Sequence, residues 1–106
     1  MRLAFRMQLF PGCEDEYIRR HNPIWPELEA VLREHGVYEY SIFLDRHSGD
    51  LFAYAEVADA TRWEAIAQTD VCRRWWDFMA PLMAANPDSS PVATNLQEVF
   101  RMDGAE

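Results

Sequence analysis

A tyrosine, a histidine and a tryptophan stand four residues apart near the N-terminus, at Tyr17, His21 and Trp25. On a continuous helix this spacing places all three rings on one face. An imidazole titrates close to neutral pH, so His21 can both give and take a proton there. The spacing predicts a face that binds a ligand and performs acid–base chemistry. The alternative is that His21 is an ordinary surface or core residue and Tyr17 an ordinary half-buried one.

Prolines interrupt this helix within the stretch "HNPIWPELE". Pro23 has no N–H to donate, and its ring would clash with the carbonyl of residue 19. It also disfavours helical backbone at Asn22. We expect a break at which Asn22 is the N-cap of a second helix and Pro23 its first residue. Backbone polar groups beside His21 would then lose their helical partners and be free to bind a ligand or water.

Two adjacent tryptophans, Trp75 and Trp76, form the second candidate feature. Neighbouring side chains on a helix point about 100° apart, so the two rings cannot both serve one apolar stripe. We expect one of them to face a groove, where an indole can stack on a sugar or on another flat apolar ligand. The alternative places both in the core and at its margin. His35 and His47 have no motif around them.

The elements that must position these residues follow from the apolar pattern. Alternation typical of half-buried strands occurs in four segments, residues 2–9, 37–45, 51–57 and 94–102. On the second strand the alternation predicts one shared face for Tyr38, Tyr40, Ile42 and Leu44. A short turn, "RHSGD", joins the second and third strands into a hairpin.

Helical patterns fill the intervals between these strands. Residues 13–35 form the interrupted helical segment, and a capping box at Thr61–Glu64 predicts the start of a short helix. A further helix begins with Thr69 or Asp70 as its N-cap, and Pro81 ends or bends it.

The resulting order is strand, helix, strand, strand, helix, strand. It predicts an α+β, ferredoxin-like fold, a four-stranded antiparallel sheet with helices on one face. The 106 residues correspond to a single domain, residues 1–106, in which residues 102–106 form a flexible tail. The second face of such a sheet is bare, and a two-fold copy usually covers an apolar bare face. We therefore expect a homodimer.

Composition excludes several classes of partner. The formal net charge is −8, with 18 acidic residues and 10 basic ones, all of them arginine. Nucleic acid and anionic membranes need a basic surface, so neither is expected as a partner. The two cysteines, Cys13 and Cys72, lack zinc-site spacing and are expected to be reduced thiols. No signal-peptide core is seen, and no apolar run approaches the ~18 residues of a membrane span, so we expect a cytoplasmic protein.

Four stretches taken together resemble the L-rhamnose mutarotase family. They are "EYIRRHNPIWPELEAVLREHG", "YSIFLD", "WEAIAQTDVCRRWWDFM" and "ANPDSSPV…LQEVF", and they cover nearly the whole chain. The resemblance implies a dimeric α/β barrel built from two ferredoxin-like protomers. It also implies an isomerase of L-rhamnose metabolism that interconverts the α and β anomers of the sugar without a cofactor or a metal.

The resemblance assigns roles to five positions. The histidine of "RRHNP", His21, is the proton donor, and Tyr17, Tyr40, Trp75 and Trp76 bind the substrate. Mutarotation opens the ring at the anomeric carbon and closes it on the other face. General acid–base catalysis of roughly 10²–10⁴-fold, with orientation of the sugar, suits this reaction.

A second proton carrier is not identified by the residues. Tyr17, a carboxylate or a bound water could serve, and Glu98 is the carboxylate we consider. Two other functions fit the same fold, a cofactor-free monooxygenase and a non-catalytic dimeric sugar-binding protein. Oxygen uptake would distinguish the first, and anomer exchange at the buffer rate would distinguish the second.

Overall fold

The computed structural model describes residues 1–104, and its centre is one antiparallel sheet with the strand order β2-β3-β1-β4. The strands are β1 (Arg2–Gln8), β2 (Val37–Asp45), β3 (Asp50–Val57) and β4 (Thr94–Leu96). The helices are α1 (Glu14–Arg20), α2 (Pro26–Glu34), α3 (Ala60–Ala65) and α4 (Asp70–Met79). Short 3₁₀ turns follow the last two helices at Ile66–Gln68 and Ala80–Leu82. The predicted ferredoxin-like α+β fold is confirmed.

One face of the sheet packs against the helices and forms the core. The central strand β3 places Leu51, Ala53, Ala55 and Val57 on this face, and all four are at most 1% exposed. Met7 of β1 lies opposite Leu51 and is also buried. Because successive residues of a strand point to opposite faces, the alternation read from the sequence fixes which face is covered.

The predicted bounds of β2 are confirmed, but the face predicted for Tyr38 is wrong. A β-bulge between Val37 and Glu39 leaves Tyr38 without a partner on β3. The extra residue reverses the alternation at the start of the strand, so Val37 is buried and Tyr38 is 69% exposed. Beyond the bulge, Tyr40 keeps its predicted place on the helix side of the sheet.

The predicted break in the first helical segment is confirmed, although its second helix begins three residues later than expected. Pro26, not Pro23, is the first residue of α2, and Trp25 is the N-cap with φ −58° and ψ 127°. A residue before proline prefers this extended backbone, and proline is favoured at the first helical position. The Asn22–Pro23 peptide bond is cis and belongs to the connecting turn.

The start of α3 also differs from the prediction. Asp59, not Thr61, is the N-cap, and its carboxylate accepts a hydrogen bond from the Arg62 N–H at 2.8 Å. An aspartate two residues earlier satisfies the same helix end, so the capping box is not used. Thr69 caps α4 as predicted, by accepting from the Cys72 N–H at 3.3 Å.

The last strand is much shorter than the predicted 94–102. β4 pairs only with Ala4, Phe5 and Arg6 of β1. The chain after β4 runs past Arg2, the first residue of β1, which forms an ion pair with Glu98. Beyond Glu98 no residue of β1 remains for the chain to pair with. Residues 97–104 contain no helix or strand, and residues 105–106 of the predicted flexible tail lie outside the described residues. No helix within residues 1–104 is long and apolar enough to cross a membrane.

Candidate active site

A cavity of about 750 Å³ lies between the sheet and the helices. Its size is within the roughly 300–1,000 Å³ typical of small-molecule sites, and most of its wall is apolar or aromatic. The structure brings all five predicted site residues to this one wall, from α1 and its C-cap, β2 and α4: Tyr17, His21, Tyr40, Trp75 and Trp76.

His21 is held in one orientation at the end of α1. It is the C-cap of that helix, and its Nδ1 lies 2.8 Å from the carbonyl oxygen of Tyr17. Because a carbonyl can only accept, Nδ1 must carry the hydrogen, and the neutral ring has a lone pair at Nε2. Burial lowers the pKa of His21 below its ordinary value, and the bond to the Tyr17 carbonyl opposes that shift.

Aromatic rings enclose the imidazole on two sides. The ring of Tyr17 lies 4.3 Å from that of His21, and Trp75 meets His21 edge-on at 5.1 Å. Trp25 does not share this face as its spacing predicted, because the helix break turns it away. Its ring packs against Trp75 at 5.1 Å and Phe78 at 5.4 Å, as a second layer behind the cavity wall.

Two tyrosine hydroxyls supply polar groups to an otherwise apolar wall. Tyr17 is 6% exposed and Tyr40 is half-buried, and burial raises the pKa of both hydroxyls well above the ordinary value. Both therefore stay protonated at neutral pH and can donate and accept hydrogen bonds. No protein group in residues 1–104 binds either hydroxyl. Since no fully buried side-chain oxygen or nitrogen of the described residues lacks a partner, neither hydroxyl is fully buried, and both are accessible from the cavity that their residues line.

Both adjacent tryptophans line the cavity, so the expectation that one of them faces a groove is too narrow. Trp75 is 8% exposed and Trp76 is half-buried. Rings about 100° apart on α4 can share one wall because the cavity is wide enough to extend past both. Cys72, one turn before Trp76, also lines the cavity, and burial raises the pKa of its thiol to about 11, so the thiol stays neutral.

Part of the wall was not predicted. Trp63 of α3 lies 5.7 Å from Tyr40 and 6.2 Å from Phe5, measured between ring centroids, and all three residues line the cavity. The alternation of β1 places Phe5 on the inner face, which could have indicated its role. Trp63 stood in the apparent capping box and gave no separate signal.

The carboxylate considered as a second proton carrier lies elsewhere. Glu98 is outside the cavity, where it pairs with Arg2. The acidic residues that do line the cavity are Glu29 and Glu39, and both are exposed. Glu29 is bound by Arg33 at 2.9 Å, and both side chains of this pair are more than half exposed. Among the described residues that line the cavity, His21 is therefore the one group of a type that ordinarily titrates near neutral pH.

Fold and site together define a class: a ferredoxin-like α+β protein whose aromatic cavity holds a single histidine suited to acid–base chemistry on a small molecule. The sequence model of the L-rhamnose mutarotase family matches residues 2–102. An L-rhamnose mutarotase of Pectobacterium carotovorum is 57% identical over 103 residues, which are 97% of this chain and 99% of that protein. The chain belongs to the L-rhamnose mutarotase family, so the resemblance and the isomerase class are confirmed.

Solved structures agree with this assignment. The crystal structure of an L-rhamnose mutarotase from Formosa agariphila superposes with a TM-score of 0.89 at 45% identity, covering 97% of this chain and 99% of that one. An antibiotic biosynthesis monooxygenase superposes with a TM-score of 0.62 at 14% identity, over 93% of this chain and 98% of that one. The second likeness shows a shared fold alone and does not favour the monooxygenase alternative.

Proposed function

We propose that this protein interconverts the α and β anomers of L-rhamnose, with His21 as the residue that moves the proton. The observation that carries the proposal is the position of His21. Its Nδ1 is committed to the Tyr17 carbonyl, and its ring stands in the wall of a cavity large enough for a monosaccharide. The identity of the sugar, L-rhamnose, is inferred from the family to which the chain belongs.

The neutral imidazole starts the reaction. Nε2 takes the proton of the anomeric hydroxyl, and the resulting imidazolium donates it to the ring oxygen while the bond between that oxygen and the anomeric carbon breaks. The anomeric oxygen becomes the carbonyl of the open-chain aldehyde. Rotation about the adjacent carbon–carbon bond presents the other face, and the same two transfers in reverse close the ring. One histidine suffices because both oxygens are bonded to the same carbon.

The rest of the wall binds and orients the sugar. The protonated hydroxyls of Tyr17 and Tyr40 form hydrogen bonds with sugar hydroxyls, and Trp75 and Trp76 cover the apolar face and the methyl group of the 6-deoxy sugar. In this proposal Trp76→Ala weakens L-rhamnose binding, measured as a rise in KM. A variant with unchanged turnover and affinity would contradict the role of Trp76.

Anomer exchange tests the activity directly. Magnetisation transfer between the α and β anomeric protons of L-rhamnose is measured by NMR with the wild-type protein and with His21→Ala. We expect fast exchange with the wild type and nearly the buffer rate with the folded variant. Exchange at the buffer rate with the wild type would overturn the proposal, and saturable sugar binding without exchange would instead support the binding-protein alternative.

We further infer that two copies pair through the open faces of their sheets, in the cytoplasm. Phe43 and Phe52 lie opposite each other on that face and are 63% and 38% exposed, which is typical of a surface covered by a partner. Both cysteines are free thiols, in keeping with a reducing compartment. Sedimentation equilibrium of the wild type and of Phe43→Glu is expected to show a dimer and a monomer. Phe10→Glu, exposed but outside the sheet, is the control.

A further inference from the structure

Arg20 connects the two helices that carry the proposed site, and it does so from outside the cavity. Its Nε donates to Glu16 on α1 at 2.6 Å, and its Nη1 donates to the carbonyl oxygen of Phe78 on α4 at 2.5 Å. The guanidinium also lies over the Phe78 ring, 4.1 Å from its centroid. Only 19% of the Arg20 side chain is exposed, and its bond to Glu16 is partly buried, whereas its bond to the Phe78 carbonyl lies at the surface.

The Phe78 carbonyl needs a partner because of the sequence that follows it. The backbone changes from α-helix to a 3₁₀ turn after Met79, and residue 81, which would serve this carbonyl in a 3₁₀ pattern, is a proline without an N–H. The last carbonyls of a helix also carry partial negative charge, which favours a cation. The guanidinium of Arg20 suits this position because it is positively charged and can donate to Glu16 and to the Phe78 carbonyl at the same time.

The contacts continue from Phe78 to His21. Phe78 packs against Trp75 at 5.8 Å, and Trp75 meets the His21 ring edge-on at 5.1 Å. His21 is also the residue next to Arg20 in the chain. Arg20 therefore fixes both sides of the contact between imidazole and indole, through its own backbone on one side and through Phe78 on the other.

We propose that Arg20 is a positioning residue for the reaction. It holds the His21 ring at a fixed distance from the Trp75 wall, and therefore from the sugar bound against that wall, as proton transfer requires. This inference rests on the proposed mutarotase function. Proton transfer depends steeply on geometry, and a displacement of about 1 Å can cost on the order of a hundredfold in rate. Arg20 does not line the cavity, so its loss removes no group that would contact the sugar.

Neighbouring Arg19 provides a matched control. It binds the same carboxylate, Glu16, at 2.5 Å, but its side chain is 71% exposed and forms no hydrogen bond or ion pair with α4. The variants are Arg20→Met, Arg20→Lys and Arg19→Met. For each we would measure kcat and KM for L-rhamnose anomer exchange, the pKa of His21 by NMR of the imidazole protons, and the melting temperature.

For Arg20→Met we expect kcat to fall about tenfold or more while KM changes less than about twofold. The pKa of His21 should rise toward its ordinary value, because looser packing of Trp75 admits water. Arg20→Lys keeps the charge but not the fork, so an intermediate kcat is expected. Arg19→Met should match the wild type in both readouts.

Two results would overturn the inference. One is an Arg20→Met protein whose kcat and His21 pKa equal those of Arg19→Met. The other is a lower melting temperature with kcat unchanged below it, which would make Arg20 a structural tie only. If the wild type itself shows no exchange, the proposed function fails, and the His21 pKa measured in the three variants still decides whether Arg20 positions that ring.

Discussion

Two helix ends in this protein are built alike and differ in what surrounds them. His21 ends α1 and His35 ends α2, and each is the C-cap of its helix. In both, Nδ1 lies 2.8 Å from the carbonyl oxygen four residues earlier, that of Tyr17 or of Val31. The bond fixes the same ring nitrogen as the donor in both residues.

The chain leaves the two ends differently. After His35, Gly36 turns with φ +83° and leads directly into β2. After His21, the turn runs from Asn22 to Trp25 before α2 begins, so the helix end opens on the cavity. Tyr17 and Trp75 enclose the His21 ring, whereas His35 lies outside the cavity wall. The difference indicates that the cap fixes the tautomer, and that the aromatic cavity gives one histidine a substrate to act on.

The largest expected effect separates these two histidines by activity. Asn22 shows that an asparagine can make the same bond, since its Nδ2 donates to the Ile18 carbonyl at 2.8 Å. His21→Asn should therefore keep the donor at the helix end while it removes the imidazole ring and its Nε2. We expect exchange of L-rhamnose anomers to fall roughly 10²–10⁴-fold, the range attributed to a general acid–base group.

The matched variant is His35→Asn, measured by the same magnetisation-transfer experiment. It should exchange anomers at the wild-type rate, because His35 does not reach the cavity. Equal losses in the two variants would show that the helix caps, rather than Nε2 of His21, support the activity. Circular dichroism confirms that both variants are folded.

The next prediction concerns the free energy of unfolding, and here the helix end at His35 is expected to be the more sensitive of the two. A Cβ on Gly36 would lie 2.7 Å from the Cβ of Ala58, and its φ of +83° disfavours any L side chain. Gly36→Ala is expected to lower the free energy of unfolding by about 2 kcal/mol. Asn22→Ala at the other end loses one exposed hydrogen bond and should cost at most about 1 kcal/mol. Urea unfolding measures both, and a larger loss for Asn22→Ala would contradict this reading of the two turns.

The sequence predicts local features of this fold well. Alternation depends on which side of a strand is covered, so the bounds of β2 were predicted correctly and those of β3 to within one residue. The start of α2 was not, because both Pro23 and Pro26 satisfy the rule for a first helical residue. Packing of Trp25 against Trp75 and Phe78 accompanies the observed choice, and these contacts join residues about 50 positions apart.

The candidate site shows the same limit. Tyr17 and His21 are related by helical spacing, so their proximity was predictable from the sequence. Tyr40 and Trp63 lie on different elements, and only the tertiary fold brings their rings within 5.7 Å. The role inferred for Arg20 was equally hidden, because its partner carbonyl on Phe78 is 58 residues away.

The smallest expected effect is on stability and tests the burial of His21. Its folded-state pKa lies below the ordinary value of about 6.5, so the unfolded chain takes up a proton first as the pH falls. Above about pH 6.5 the ring is neutral in both states and contributes no pH dependence. As the pH falls below that value the unfolded state binds more protons, and stability declines until the folded-state pKa is passed. Urea unfolding at pH 7.5 and 5.0 should therefore show a larger loss for the wild type than for His21→Asn, since all other groups titrate in both proteins. Equal losses would show that the His21 ring is as hydrated in the folded protein as in the unfolded chain, and would remove the electrostatic distinction between this helix end and an ordinary one.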